Sequence, residues 1–170
     1  KQTTTGAYNV AIGHQVLENN TAGDENIAIG YQAMRANTTG QRNVAIGMNT
    51  LRSNTTGEFN VGLGYDVLYN STNASFNTAL GYQALFANTT GIRNVAVGYQ
   101  ALYTNATGSN NVAVGTSALF SNVTGQRNVA IGLSALQGNT SGQANIAVGM
   151  ETLNSNTTGQ RNVSIGFTTL

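Results

Sequence analysis

Asn26-Ile27-Ala28-Ile29-Gly30 is followed by Tyr31-Gln32-Ala33-Met34 and closed by Asn37-Thr38-Thr39-Gly40; at Asn43 the same order begins again. The Asn that opens the phrase recurs every 17 residues without a slip, at Asn9, Asn26, Asn43, Asn60, Asn77, Asn94, Asn111, Asn128, Asn145 and Asn162. A fixed period this short makes one turn of a solenoid the unit of structure, not a globular domain. Residues 1–170 therefore read as a single repeat array, with a coil beginning at each of these asparagines.

Counting from the Asn, the fifth position is Gly in all ten copies, and the third is Ala in eight, with Gly62 and Ser164 departing. The second and fourth are Val, Ile or Leu, with Thr78 the exception. Large, small, large is the period-2 signature of a short strand. Because Ala is neither polar nor bulky, both faces are expected to be buried, the aliphatics filling the coil and the Ala–Gly face admitting a neighbouring backbone. The next phrase, such as Tyr82-Gln83-Ala84-Leu85, ends in Leu in nine of ten copies. Its spacing fits a short second strand or a single helical turn, with the strand preferred because stacked coils pair strands readily. Asn88-Thr89-Thr90-Gly91 and its equivalents are turn chemistry, Asn tolerating left-handed backbone and Gly supplying positive φ. Repeat four breaks the rule with Asn70-Ser71-Thr72-Asn73-Ala74, where Asn73 is expected to take over the positive φ and distort the coil locally.

The expectation is an all-β parallel solenoid, or β-roll, of ten 17-residue coils. Stacking turns the Asn9-to-Asn162 column into an amide ladder along the axis. At about 4.8 Å between strands, the rod would be roughly 48 Å long. Three large aliphatics per coil make a thin core, so neighbours must contribute, most simply through lateral packing of three chains on the Ala–Gly face.

Composition narrows the function classes. The chain has no Pro, Cys or Trp, 21 Gly, and only 7 basic and 6 acidic side chains for a net charge of +1. A broad attraction to nucleic acid or anionic lipid does not follow from that balance. Lack of Cys excludes a disulfide framework and a thiolate metal site. No apolar run is long enough to insert in a membrane, and no signal peptide is visible. The pattern begins on the tail of a repeat at Gly6 to Tyr8 and stops mid-repeat at Leu170, so a piece of a longer array is expected.

The phrases NVAIG, GYQALF and ANTTG together resemble the repeats of phage tail-fibre-like proteins that end in an endosialidase-type intramolecular chaperone. NVAIG alone is also similar to the head repeat of trimeric autotransporter adhesins, whose repeat is shorter and lacks the Leu phrase. The likeness spans the chain and implies a left-handed roll in a homotrimeric, extracellular, cell-surface or virion-borne fibre. It carries over structural columns only, such as Asn43, Ala45, Gly47 and Leu51, and no catalytic residue.

Candidate sites each have a plainer reading. Asn37, Asn54, Asn88, Asn105, Asn122, Asn139 and Asn156 head Asn-X-Ser/Thr triplets that N-glycosylation could use, or that simply accompany a good turn. Arg42, Arg93, Arg127 and Arg161 share a column that could meet acidic polysaccharide, or could lay arginine stems over apolar surface. Tyr31, Tyr65, Tyr82 and Tyr99 share the sixth position, and Tyr69, Phe86, Tyr103 and Phe120 the tenth. Such aromatics serve either as sugar platforms or as packing. Thr columns suggest an ice-binding face, but they sit in turns beside Gly. His14 is the only His, and Glu18, Asp24, Glu25, Glu58, Asp66 and Glu151 show no repeated acid/base pair.

The sequence thus points to a structural and adhesive rod, a spacer with surface-binding capacity, not an enzyme, and needing no cofactor or metal. Its expected partner is itself, with cell-surface glycans as a further candidate. The alternatives are a self-assembling extracellular filament built by end-to-end stacking, and a glycan- or ice-binding solenoid.

Overall fold

A computed structural model describes residues 5–169 as a parallel β-solenoid. Each coil contributes one strand: β1 (Val10–Ile12), β2 (Ile27–Ile29), β3 (Val44–Ile46), β4 (Val61–Tyr65), β5 (Thr78–Tyr82), β6 (Val95–Val97), β7 (Val112–Val114), β8 (Val129–Ile131), β9 (Ile146–Val148) and β10 (Val163–Ile165). All ten lie in one sheet in sequence order. Every register is one repeat, as in Val44↔Val61 and Val95↔Val112, so like residues face like along the axis.

Among the described residues there is no helix and no second strand. The Tyr31-to-Arg35 segment is instead a turn in which Gln32 (φ 56°) and Met34 (φ 49°) are left-handed. This corrects the expected strand or helical turn, and the reason is bonding direction. Gln32 N–H donates to His14 O in the preceding coil, whereas Met34 N–H donates to Thr50 O in the following one. Left-handed residues let the backbone alternate between neighbours within a tight corner. They cost roughly 1–2 kcal/mol each for an L residue with a side chain, offset by coil-to-coil bonds around the whole perimeter. Ala36 N–H to Arg52 O, Thr38 N–H to Thr55 O and Arg42 N–H to Asp24 O continue the set.

The two strand faces are the reverse of expectation. Ala28, Ala45, Ala96, Ala113, Ala130 and Ala147 are fully buried, and their large neighbours point outward. The cause is the narrow lumen. A Cβ built on Gly62, at the third position, would meet Thr50 Cγ2 at 2.6 Å, Val67 Cγ1 at 3.4 Å and Leu68 Cδ1 at 3.8 Å. The space opposite the strand is thus filled by the eighth and ninth residues, which leave room for a methyl at most, and at Gly62 not even for that. The ninth residue is fully enclosed in seven successive coils, Met34, Leu51, Leu68, Leu85, Leu102, Leu119 and Leu136, joined in coil four by Val67.

Amides fill much of the remaining interior. Asn26 Nδ2 donates to Asn9 Oδ1 at 3.1 Å and to Gly40 O at 2.9 Å, while Asn26 N–H donates to Asn9 Oδ1. The same three bonds recur at Asn43, Asn94, Asn111 and Asn128. A second ladder runs through the twelfth position: Asn37 Nδ2 donates to Asn20 Oδ1 and to Gly40 O. Both amides of a coil therefore converge on one glycine carbonyl and close the ring. Burying polar groups is costly unless they are paired, and here nearly every one is paired, most of them from coil to coil.

The positive φ expected at the turn glycine belongs to the fifth position instead, as at Gly30 (φ 136°). The turn glycine is required for space: a Cβ on Gly40 would lie 2.5 Å from both Asn37 Oδ1 and Gly57 O. In repeat four Asn73 does not adopt a left-handed backbone. The stack continues through it, with Tyr65↔Tyr82 extending the β4–β5 pairing, and the distortion is a lengthened Thr72 N–H to Thr89 O bond of 3.3 Å.

Candidate functional site

Inverting the strand faces moves the candidate surface to the other side of the sheet. The second and fourth residues of the coils form two parallel rows on its outer face, aliphatic throughout except at Thr78. Val10, Ile12, Ile27, Val61, Leu63, Leu80, Ile131, Ile146, Val163 and Ile165 are exposed, and Val44, Ile46, Val95, Val97, Val112 and Val114 are half-buried. Large side chains of the sixth position, Tyr31, Met48, Tyr65, Tyr82, Tyr99, Leu133 and Phe167, are exposed along one margin. A flat apolar face running the length of the sheet exceeds the scattered hydrophobics a monomer ordinarily shows.

The aromatic columns are stacked. Tyr65, Tyr82 and Tyr99 follow one another with ring centroids 5.3 Å apart and planes within 7°. At the tenth position Tyr69, Phe86, Tyr103 and Phe120 stack at 5.1 to 5.3 Å. Rings stacked this way cover one another's faces and turn their edges outward, whereas a sugar platform presents a free face. His14 stacks on Tyr31 and joins the sixth-position column.

The arginine column is tied into the same packing. Arg42 Nε bonds Glu25 Oε2 at 2.8 Å, and its guanidinium lies 5.3 Å from the Phe59 ring centre. Phe59 stacks on Phe76, and Arg93 covers Phe76 at 5.6 Å. The hydrogen bond to Glu25, and then its charge, raise the Arg42 pKa. Arg127 and Arg161 are exposed in the same column.

Asn37, Asn54, Asn88, Asn105, Asn122 and Asn139 are fully buried, and Asn156 is partly buried. Their side-chain nitrogens are donors in the second ladder, as Asn105 Nδ2 is to Asn88 Oδ1 and Gly108 O. A glycan on these nitrogens would require the coil to open. Thr38 and Thr89 turn their hydroxyls onto the next coil's backbone, donating to Thr55 O and Ala106 O.

Three carboxylates have separate partners: Glu18 pairs with Arg35 at 2.6 Å, Asp24 accepts from Ala7 N–H, and Asp66 accepts from Asn49 Nδ2. Among the described residues, no three His, Cys, Asp or Glu side chains are placed to hold a metal ion, and no helix is long and apolar enough to cross a membrane. A hollow lined by Leu153, Ser155, Asn156 and Asn162 lies where both amide ladders reach the last coil.

Comparison of the chain with protein-family models, curated proteins and solved structures finds no match. The site is therefore defined by its own geometry. Sequence reasoning missed two parts of it, the outward aliphatic rows and the second ladder. A signal for the ladder exists: Asn recurs at the twelfth position in eight of the nine complete coils, and the single change to Ser71 coincides with the single change of the turn glycine to Ala74.

Proposed function

We propose that this chain is a rigid shaft segment of an extracellular, cell-surface or virion-borne fibre, in which three copies pack through their outer sheet faces. It acts as a spacer and as a surface-binding rod that can meet cell-surface glycans through weak repeated contacts. The observation that carries the reading is the aliphatic face of the ten-stranded sheet, which in every coil but the fifth places two large apolar side chains, half-buried or exposed, on the outer surface. At about 25 cal/mol per Å² of apolar surface, covering such rows favours association, and the repeat spreads the gain evenly along the rod. Like residues align along the axis, so a parallel in-register arrangement superposes every coil with its equivalents. A left-handed coil accords with the adhesin-head resemblance.

Sedimentation and electron microscopy test this. Discrete trimers of fixed length are expected, and Val95→Lys with Val129→Lys should release monomers that keep the far-ultraviolet β signal. A wild-type chain that stays monomeric at high concentration would defeat the proposal.

The second reading, a filament grown by end-to-end stacking, draws on the one-repeat parallel register, by which each coil offers the next the same row of backbone groups. Concentration-dependent filaments of indefinite length would favour it. The glycan- or ice-binding solenoid has less support, because the ring faces are covered by one another and several threonine hydroxyls are bonded to backbone.

A further inference from the structure

Seven tyrosines occur in the chain, yet only three have another tyrosine as an adjacent member of their column. Tyr65 and Tyr82 are Cα partners in the β4–β5 ladder, and Tyr99 follows one coil later. Tyr31 lies between His14 and Met48 in the sixth-position column, and Tyr69 and Tyr103 are separated by Phe86. The three adjacent phenols are 41%, 42% and 49% exposed, so solvent reaches rings held in a fixed parallel array.

We propose that Tyr65, Tyr82 and Tyr99 form an oxidative cross-linking site, at which a peroxide-driven one-electron oxidant joins neighbouring coils through a carbon–carbon bond between phenol rings. Each of two adjacent tyrosines gives up one electron and its hydroxyl proton to become a phenoxyl radical. The radicals couple at a ring carbon ortho to each oxygen. The hydrogen on each coupled carbon then leaves as a proton while each oxygen regains one, restoring two phenols. The net change is the loss of two protons and two electrons per pair, which reduce one hydrogen peroxide to two waters.

Coupling of this kind competes with diffusion of the radical to other sites, and proximity decides the contest. The registered ladder holds the reacting rings side by side before oxidation begins. Flanking rings partly desolvate the Tyr82 hydroxyl and raise its pKa, and the Tyr65 and Tyr99 hydroxyls add to the rise, consistent with a crowded trio. The bond would lock residues one coil apart and staple the stack at its middle, whether or not the chains associate laterally.

The test treats the purified protein with hydrogen peroxide and a haem peroxidase, then reads dityrosine fluorescence, intact mass and the linked peptides. The expected product is a single chain lighter by two hydrogens, with Tyr65 joined to Tyr82 or Tyr82 to Tyr99. Tyr82→Phe belongs to both pairs and should reduce intrachain dityrosine to the level without peroxide. Tyr65→Phe should retain it through Tyr82 and Tyr99. Undiminished intrachain dityrosine in Tyr82→Phe, or wild-type links that involve only Tyr8, Tyr31, Tyr69 or Tyr103, would overturn the assignment. Because the readout is within one chain, its failure leaves the fibre reading intact, and a monomeric chain can still form the link.

Discussion

Ser71 and Ala74 can be exchanged for the residues that the other coils carry, and the pair should behave as one unit. In the coils with Asn at the twelfth position and Gly at the fifteenth, a glycine Cβ would lie 2.1 to 2.5 Å from that Asn Oδ1. Amide and methyl therefore compete for the same volume, and coil four takes the methyl. The exchange interrupts the second ladder, leaving Asn54 Oδ1 and Ser71 Oγ buried without partners. Ser71→Asn alone gains a bond of about 1 kcal/mol to Asn54 but overpacks against Ala74 by about 2, a net cost of about 1 kcal/mol. Ala74→Gly alone should cost about 1 kcal/mol, through a lost buried methyl and a more flexible unfolded chain. The double variant reconnects Asn54 to Asn88 through the new amide. Relief of the orphaned oxygen and the added bonds are worth about 2 kcal/mol, and the Ala74→Gly cost of about 1 reduces this to a net gain of about 1 kcal/mol. The coupling is then about 3 kcal/mol, at the upper end for residues in contact. Denaturant unfolding of the four proteins, followed by circular dichroism and by hydrogen exchange in coils three to five, measures it. A double variant no more stable than the sum of its singles would refute the shared-volume argument.

Other substitutions probe separate parts of the coil. Asn94→Ala removes the acceptor of Asn111 N–H and Nδ2, so denaturant unfolding should show a loss of about 3 kcal/mol, centred on coils six and seven in hydrogen exchange. Gly98→Ala places a Cβ 2.6 Å from Gly115 O at a backbone φ of 134°, and should cost more than about 3 kcal/mol, visible as a lowered melting temperature. Gly62→Ala puts a methyl 2.6 Å from Thr50 Cγ2 and should cost about 2 kcal/mol in denaturant; Thr50→Ala in the same chain should recover most of that.

The period and the parallel stacking are legible because both are properties of spacing. Ten strands at one repeat each follow from the Asn column, as in Ala96↔Ala113. Which strand face turns inward is decided elsewhere. Alternation distinguishes Val95 and Val97 from Ala96, but the lumen that admits only Ala96 is set by Ala101 and Leu102 and by the two amide columns. The turn reads as backbone chemistry, Asn for left-handed geometry and Gly for positive φ, yet Asn105 is fully enclosed and Gly108 is dictated by its amide. Leu102 shows the limit of local propensity. Its left-handed φ of 52° is unfavourable for leucine and is held by packing and by bonds to the neighbouring coils.

Both interior amide columns have a direction. Except at the Ser71 break, Nδ2 reaches toward the lower-numbered coil and Oδ1 is offered to the higher-numbered one, as Asn43 Nδ2 donates to Asn26 and Asn122 Nδ2 to Asn105. Side-chain dipoles thus align along the axis and polarise one another, making the rod an electrical vector as well as a mechanical one. A coil inserted upside down would set oxygen against oxygen in both columns at once. The interior itself therefore rejects reversed stacking, leaving the outer surface free to vary without loss of polarity.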